Sequence, residues 1–222
     1  MDRESKGKSA GKSRGDESLG AADWIRAALD ALAEDGFSAV SVEPLARRLG
    51  VTKGSFYWHF ADRGALVDAV LRTWEDESTE AVVRELSAVR EPRARIAKAI
   101  ALVSSPDVAW KVHVALGAEI GDPRVAETLA RVSARRIAYL ADAFRELGLP
   151  PKEATSRATL AYAAHVGLVH LRAYAPGVVP EGAALGAYVR QFTEAVVPVA
   201  PDDPTIRRAP IGNGRVRRPG GR

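Results

Sequence analysis

The residues with the most evident chemistry lie in one short segment after Gly50. Residues 52–60 read TKGSFYWHF. Hydroxyl, ammonium and imidazole groups make hydrogen bonds to phosphate oxygens and base edges, and aromatic rings pack on thymine methyl groups. A helix that exposes such side chains needs a partner that suits them. The segment therefore predicts a surface that binds double-stranded DNA.

Two short helices joined by a sharp turn would position these side chains. Ser41 can cap the first of them, and Gly50 permits the turn that ends it. The next helix would reach Phe60, held to the core by Phe56 and Phe60, which are four residues apart. Its other faces would carry Thr52, Lys53, Ser55, Tyr57, Trp58 and His59.

The rest of the chain predicts an all-α fold. Apolar residues recur at helical spacing, and no segment alternates as a strand would. Pro and Gly clusters separate the helices. In chain order the predicted helices are 21–35, 42–49, one that is capped by Thr52 and reaches Phe60, one capped by Asp62, 92–104, 107–120, 123–147, 152–173 and 182–197.

The two ends of the chain are predicted to be disordered, because residues 1–20 and 201–222 are too polar to bury a core. Residues 201–222 hold six arginines and two aspartates, which account for the whole net charge of +4. Residues 21–80 hold six Arg or Lys against eleven Asp or Glu. The overall charge is therefore weak support for nucleic-acid binding, and the prediction depends on the local pattern.

Several classes of protein are disfavoured. The chain has no cysteine, and residues 1–20 lack the apolar stretch of a secretion signal. No apolar run is long enough to span a bilayer, so we expect a cytoplasmic protein with no membrane partner. Hydrolase, phosphate-loop and zinc motifs are absent, so we expect neither an enzyme nor a cofactor. His165 and His170 fall on different helix faces, and no metal site is expected.

Residues 24–74 resemble the DNA-binding domain of the TetR family of transcriptional regulators. The resemblance extends in order over three helices and their turns, about a quarter of the chain. It is carried by AAL at 27–29, GF at 36–37, SV at 41–42, LA at 45–46, GVTKGSFYWHF at 50–60, and DR at 62–63 followed by Leu66. Gly64 departs from the family, in which a charged residue is common there, and is expected to weaken the cap of the fourth helix.

The resemblance implies a role for each residue of the segment. Ser41 would touch a phosphate, and Arg63 would sit near another. Tyr57, Trp58 and His59 would contact the DNA backbone or bases. The major groove would receive Thr52, Lys53, Gly54 and Ser55.

The resemblance also implies a helix-turn-helix DNA-binding domain of three helices over residues 21–75, and a helical effector-binding and dimerisation domain over residues 76–200. Family members pair through their last two helices. The corresponding stripes here are Ala161, Ala164, Leu168 and Leu171, then Leu185, Tyr188, Val189 and Phe192. Burial within one subunit explains such stripes equally.

An effector chamber is expected among the middle helices. By the resemblance, it would be lined by Trp110, His113, Gly117, Tyr162 and His165. Aromatic side chains with a few polar groups suit a mostly apolar small molecule, and ordinary core packing explains the same residues about as well.

The function that follows is a homodimeric, ligand-responsive regulator, a repressor that a small molecule releases from a palindromic operator. The alternative is a DNA-binding protein without a small-molecule effector, either architectural or controlled by a protein partner.

Overall fold

The computed structural model of the chain describes residues 19–104 and 109–197, and every regular element in these ranges is helical. The α-helices are α1 (Ala21–Asp35), α2 (Val42–Leu49), α3 (Lys53–Phe56), α4 (Arg63–Glu75), α5 (Ala81–Ser87), α6 (Pro92–Ser104), α7 (Ala109–Gly117), α8 (Pro123–Glu146), α9 (Pro151–Tyr174) and α10 (Gly182–Val196). Short 3-10 turns lie at Phe37–Ala39 and Pro176–Val178. The predicted all-α fold is confirmed for the described residues.

Most predicted bounds agree with the structure to within a residue. The helices α1, α2 and α6 begin and end where predicted. The tails predicted to be disordered lie outside the described residues, apart from Leu19 and Gly20. The helix α5 was not predicted. No described helix combines the length and the apolarity that crossing a membrane requires.

The prediction that the third helix reaches Phe60 is wrong. The helix α3 has four residues and ends at Phe56, and hydrogen-bonded turns continue the chain from there to Phe60. Gly54 and the aromatic run after it have weak helix propensity, so the longer helix is not stabilised locally.

A π-helical turn, Asp76–Glu80, joins α4 to α5. The predicted domain boundary after residue 75 therefore falls inside one continuous helical rod, although the division into domains stays a prediction. The main core cluster also crosses that boundary, since Trp24 of α1 and Leu66 of α4 share it with Val112 of α7 and Val132 of α8. The helices α7 and α8 are therefore packed directly against the N-terminal helices.

The second core cluster lies between α6, α8, α9 and α10. Its largest buried side chains include Ile96 and Phe144. The helices α8 and α9 have 24 residues each and form a helical hairpin about the short link at residues 147–150. Together α7, α8 and α9 bring together the side chains of the cavity described below.

Candidate nucleic-acid interface and internal cavity

The turn between α2 and α3 has the geometry that the sequence predicts. Gly50 takes the left-handed conformation, with φ 69° and ψ 28°, which a side chain would strain. Asp62 caps α4 by accepting a hydrogen bond from the Ala65 amide at 2.8 Å, as predicted. Ser41 and Thr52 stand at the N-cap positions of α2 and α3, but neither side chain bonds to its helix.

Phe56 anchors this segment to the core. Its side chain is fully buried, with its ring edge-on to Trp24 at 5.3 Å between centroids and stacked on Phe60 at 5.4 Å. Both phenylalanines are buried, so the predicted anchor is confirmed. Of the three residues between these rings, Tyr57 and Trp58 are exposed and His59 is half-buried.

The outward surface carries most of the residues predicted to contact DNA. Trp58 exposes 86 % of its surface and Tyr57 62 %, although both are aromatic. Another three predicted residues are also exposed, Thr52, Lys53 and Gly54, while Ser41, Ser55 and His59 are half-buried at the edge. Tyr57 and Trp58 are adjacent and have polar neighbours, and an exposed apolar patch with a polar rim is typical of an interaction site.

Two acidic residues hold cations on or near this surface. Lys53 forms an ion pair with Glu43 of α2. Arg48 forms a bidentate pair with Glu34 of α1, at 2.8 and 2.9 Å. A phosphate would therefore compete with Glu43 for the Lys53 ammonium.

Arg63 has a structural role that the sequence did not indicate. Its guanidinium donates hydrogen bonds to the carbonyl oxygens of Val40 at 2.6 Å and Phe37 at 3.2 Å, and it lies over the Phe37 ring. Arg63 thereby fixes the link between α1 and α2. Its predicted position near a phosphate stays a prediction. Arg63 would have to approach the phosphate while it keeps its hydrogen bonds to Val40 and Phe37.

Gly64 serves a purpose other than the weak cap expected of it. A Cβ atom there would lie 3.0 Å from Asp62 Oδ1 and 3.1 Å from Arg124 Nη1. The absence of a side chain lets Arg124, at the start of α8, approach α4, where it also lies 3.8 Å from Asp68. Gly64 is thus a contact point between the two halves of the chain.

A cavity of about 350 Å³ lies between the π-helical turn, α5, α6, α7, α8 and α9. Four of the five residues predicted to contact an effector line it, namely Trp110, His113, Tyr162 and His165. Gly117 is not among the lining residues and lies instead beside His170. Sequence reasoning missed further lining residues, including Trp74, Tyr139 and Arg136.

Three histidines meet beside this cavity. The ring centroids of His165 and His170 each lie 6.3 Å from that of His113. Burial, the charge of Arg136 and then His170 lower the pKa of His113 to about 4, so its ring is neutral at pH 7. Among the described residues, no group of three His, Asp or Glu side chains is placed to hold a metal ion.

Arg136 of α8 reaches the same cavity and also holds the π-helical turn. Its Nε donates to Thr79 Oγ1 at 3.0 Å, and its Nη2 donates to the carbonyl and hydroxyl oxygens of Ser78 at 3.0 and 3.1 Å. The guanidinium lies 5.8 Å from the Trp74 ring centroid, within reach of a cation–π interaction. A run of arginines usually forms a solvated helix face, so the sequence did not single this one out.

The predicted dimer stripe on α9 needs correction. Ala161 and Leu168 are buried inside the subunit, and Ala164 and Leu171 are half-buried. The exposed apolar and small residues of α9 lie about a quarter turn around the helix from this stripe, at Leu160, Ala163, Gly167 and Tyr174. Over residues 160–171 apolar residues lie on nearly every side of α9, so periodicity does not identify its inner face there.

The predicted stripe on α10 is partly used within the chain. Val189 and Phe192 pack against the second core cluster, and Phe192 also lines the cavity. Tyr188 stacks on Phe192 at 6.0 Å between centroids. Leu185, Tyr188, Val189 and Phe192 all remain half-exposed, so a contact with a second subunit stays a prediction for them.

The N-terminal segment is similar in sequence to known regulatory proteins. Residues 25–70 match the family model described as bacterial regulatory proteins, tetR family. Over 46 residues the chain is 50 % identical to the class A tetracycline repressor protein from transposon 1721 of Escherichia coli. The match spans 21 % of this chain and 21 % of that repressor, so it concerns only this segment.

Solved structures share the fold over most of the chain. A transcriptional regulator from Saccharomonospora viridis in complex with choline is 18 % identical, with a TM-score of 0.67 over 79 % of this chain and 94 % of that one. FadR from Bacillus subtilis in complex with stearoyl-CoA is 15 % identical, with a TM-score of 0.60 over 79 % of this chain and 97 % of that one. At these identities the likeness concerns the fold alone.

Proposed function

Since the chain belongs to the tetR family of bacterial regulatory proteins, we propose that it is a DNA-binding transcriptional repressor, acting in the cytoplasm as a homodimer that a small molecule releases from its operator. The outward row from Thr52 to Trp58 carries this proposal. Buried Phe56 fixes the row from behind, and its exposed aromatic and polar groups suit a DNA groove.

A dimer would use the exposed side of α9. Ala163 and Gly167 are small enough for close helix packing, and Leu160 and Tyr174 beside them are 58 % and 72 % exposed. Twofold symmetry would present two copies of α3 about 34–36 Å apart, in successive major grooves. The operator would then be a palindrome or close to one.

The cavity is the proposed effector site. Its volume is within the range of small-molecule pockets, and most of its lining is aromatic or aliphatic. The regulators from Saccharomonospora viridis and Bacillus subtilis bind choline and stearoyl-CoA. These two chemically unlike ligands support small-molecule binding by this fold without naming the effector of this chain.

A row of arginines on α8 would transmit the effector's presence to the DNA-binding helices. Arg131 pairs with Glu75 at 2.6 Å, and Arg135 pairs with Glu80 at 2.9 Å. Arg136 donates hydrogen bonds to Ser78 and Thr79. Arg124 contacts Asp68, which is nearer the start of α4. Each contact joins α8 to α4 or to the π-helical turn after it. A shift of α8 on ligand binding would therefore rotate α4 and change the spacing of the two α3 copies, and by linkage DNA would weaken effector binding equally.

Selection from a library of random duplexes tests the DNA half of the proposal and requires no assumed operator sequence. We expect the full chain to enrich a palindromic site and to retard it in a gel. Lys53→Ala and Tyr57→Ala should bind that site about tenfold more weakly or worse, because each removes a groove or phosphate contact.

Lys152→Ala is the matched control, since Lys152 is an exposed lysine at the start of α9, outside the N-terminal helices. Its affinity should equal that of the wild type. Failure to enrich any site, or equal affinity for all three variants, would overturn the assignment of this surface.

Gly54→Ala tests how closely the backbone approaches the DNA. In the free protein the nearest atom to an added Cβ is Thr52 Oγ1 at 3.6 Å, which is ordinary contact. The melting temperature should therefore be unchanged or slightly higher, because alanine favours a helix over glycine by roughly 1 kcal/mol. Affinity for the selected site should fall about tenfold, and unchanged affinity would show that the backbone stays clear of the groove.

A further inference from the structure

Arg136 differs from the other three arginines of its row in its partners. Arg124, Arg131 and Arg135 each pair with a carboxylate of the chain, and all lie at the surface or partly so. Arg136 bonds only to neutral oxygens, and no carboxylate of the described residues lies within ion-pair distance. A largely desolvated cation without a counter-ion destabilises the fold, and such a group at a cavity wall is a candidate binding residue for an anion.

The other charges at the cavity leave that positive charge uncompensated. Glu77 and Glu85 line the cavity, but each is half-exposed and already paired, with Arg26 at 2.6 Å and with Lys98 at 2.8 Å. The neighbouring ring of His113 is neutral at pH 7, so it neither repels nor replaces an anion. Neither of these carboxylates therefore balances the positive charge of Arg136 at the inner wall.

Two ring nitrogens at this wall are buried without a hydrogen-bond partner. The Nε1 of Trp74 is buried without a hydrogen-bond partner, and it is a donor only. The Nδ1 of His113 is buried without a partner as well. Both belong to side chains that line the cavity beside Arg136. Small rotations on ligand binding would let an anion accept bonds from them in addition to the guanidinium.

We propose that the cavity takes a carboxylate with an aromatic or otherwise flat apolar body, and that Arg136 pairs with the carboxylate. This inference rests on the proposal that the cavity is the effector site, and it names the chemical class of the effector. The rings of Trp74, Trp110, Tyr139 and Tyr162 would enclose the apolar body. Pairing with Arg136 would draw the guanidinium from Ser78 and Thr79, and so loosen the π-helical turn.

Isothermal titration calorimetry of the full, DNA-free chain tests this with three probes that share one ring system: naphthalene-1-acetate, naphthalene-1-acetamide and trimethyl(naphthalen-1-ylmethyl)ammonium. We expect the carboxylate to bind the wild type at least tenfold more tightly than the amide, and the ammonium to bind most weakly. Arg136→Met should weaken carboxylate binding at least tenfold and change amide binding less than twofold.

Arg135→Met is the matched control, because Arg135 is the adjacent arginine, pairs with Glu80 and does not line the cavity. It should keep the wild-type preference. If Arg136→Met does not fold, as judged by circular dichroism, Arg136→Lys replaces it. The lysine keeps the charge but loses the bidentate fork, so it should retain a reduced preference for the carboxylate over the amide.

Two outcomes would overturn the inference, and they differ in whether they also contradict the proposed effector site. Equal or stronger binding of the amide or the ammonium would refute the anionic class and leave the cavity as an effector site. No binding of any probe would refute the inference and also the effector half of the proposed function. The duplex selection and its gel assay are independent of both outcomes.

Discussion

Phe56→Ala is expected to lower the free energy of unfolding by about 3–5 kcal/mol, the usual effect of emptying a fully buried phenylalanine site. Phe56 has no exposed surface and contacts the rings of Trp24, Tyr57 and Phe60. The variant should also lose affinity for the selected duplex, because the exposed residues from Thr52 to Trp58 are no longer anchored to the core. Denaturant unfolding at one fixed protein concentration measures the first effect, since dimerisation makes stability concentration-dependent.

Trp58→Ala is the matched control, since it removes an aromatic side chain two residues further on. Trp58 is 86 % exposed, so stability should change by no more than about 0.5 kcal/mol. Affinity for the duplex should nevertheless fall about tenfold. If Phe56→Ala unfolds at the wild-type denaturant concentration, the phenylalanine does not anchor the recognition segment, and the account of this surface fails.

The second large effect concerns pH and His113. Burial lowers the pKa of His113 from 6.5 in the unfolded chain to about 4 in the folded one. Between pH 6.5 and about 4 the histidine is protonated in the unfolded chain and neutral in the folded one. The free energy of unfolding therefore decreases as pH falls through this range. The full contribution is present above pH 6.5, and its loss amounts to about 3 kcal/mol by pH 4.

Denaturant unfolding at several pH values between about 7.5 and 4.5 measures this dependence. Carboxylates also titrate in that range, so the informative quantity is the difference between the wild type and a variant. His113→Gln should show a flatter dependence than the wild type. Val112→Ala, a buried neighbour on α7, should be destabilised at every pH and keep the wild-type slope. Parallel curves for the wild type and His113→Gln would contradict the buried, neutral state of this histidine.

For His113 the sequence predicted a neighbouring cavity residue but not the arrangement of the histidines around it. Sequence reasoning expected His113 and His165 near an effector, and both line the cavity. The spacing of His165 and His170 placed them on different helix faces, yet both rings approach His113 from α9. His113 of α7 lies close to both α9 histidines, although these occupy different faces of their helix. The spacing of residues along α9 cannot predict where a side chain from another helix packs.

The sequence alone determined the features that depend on neighbours along the chain. Helix α1 follows from its apolar stripe, the turn at Gly50 from a backbone that glycine tolerates, and the buried pair Phe56 and Phe60 from their spacing of four residues. These features arise from local sterics and hydrogen bonding, which a short window of sequence contains.

Only the tertiary structure decided which way the longer helices face. On α9, Ala161 points inward and Leu160 outward, although both belong to a segment, residues 160–171, that is apolar on nearly every side. On α8, the adjacent Arg135 and Arg136 are chemically identical, yet one pairs with Glu80 and the other reaches the cavity. The rotation of a helix about its axis is set by residues far away in the chain, because burial against those partners outweighs any preference within the helix itself.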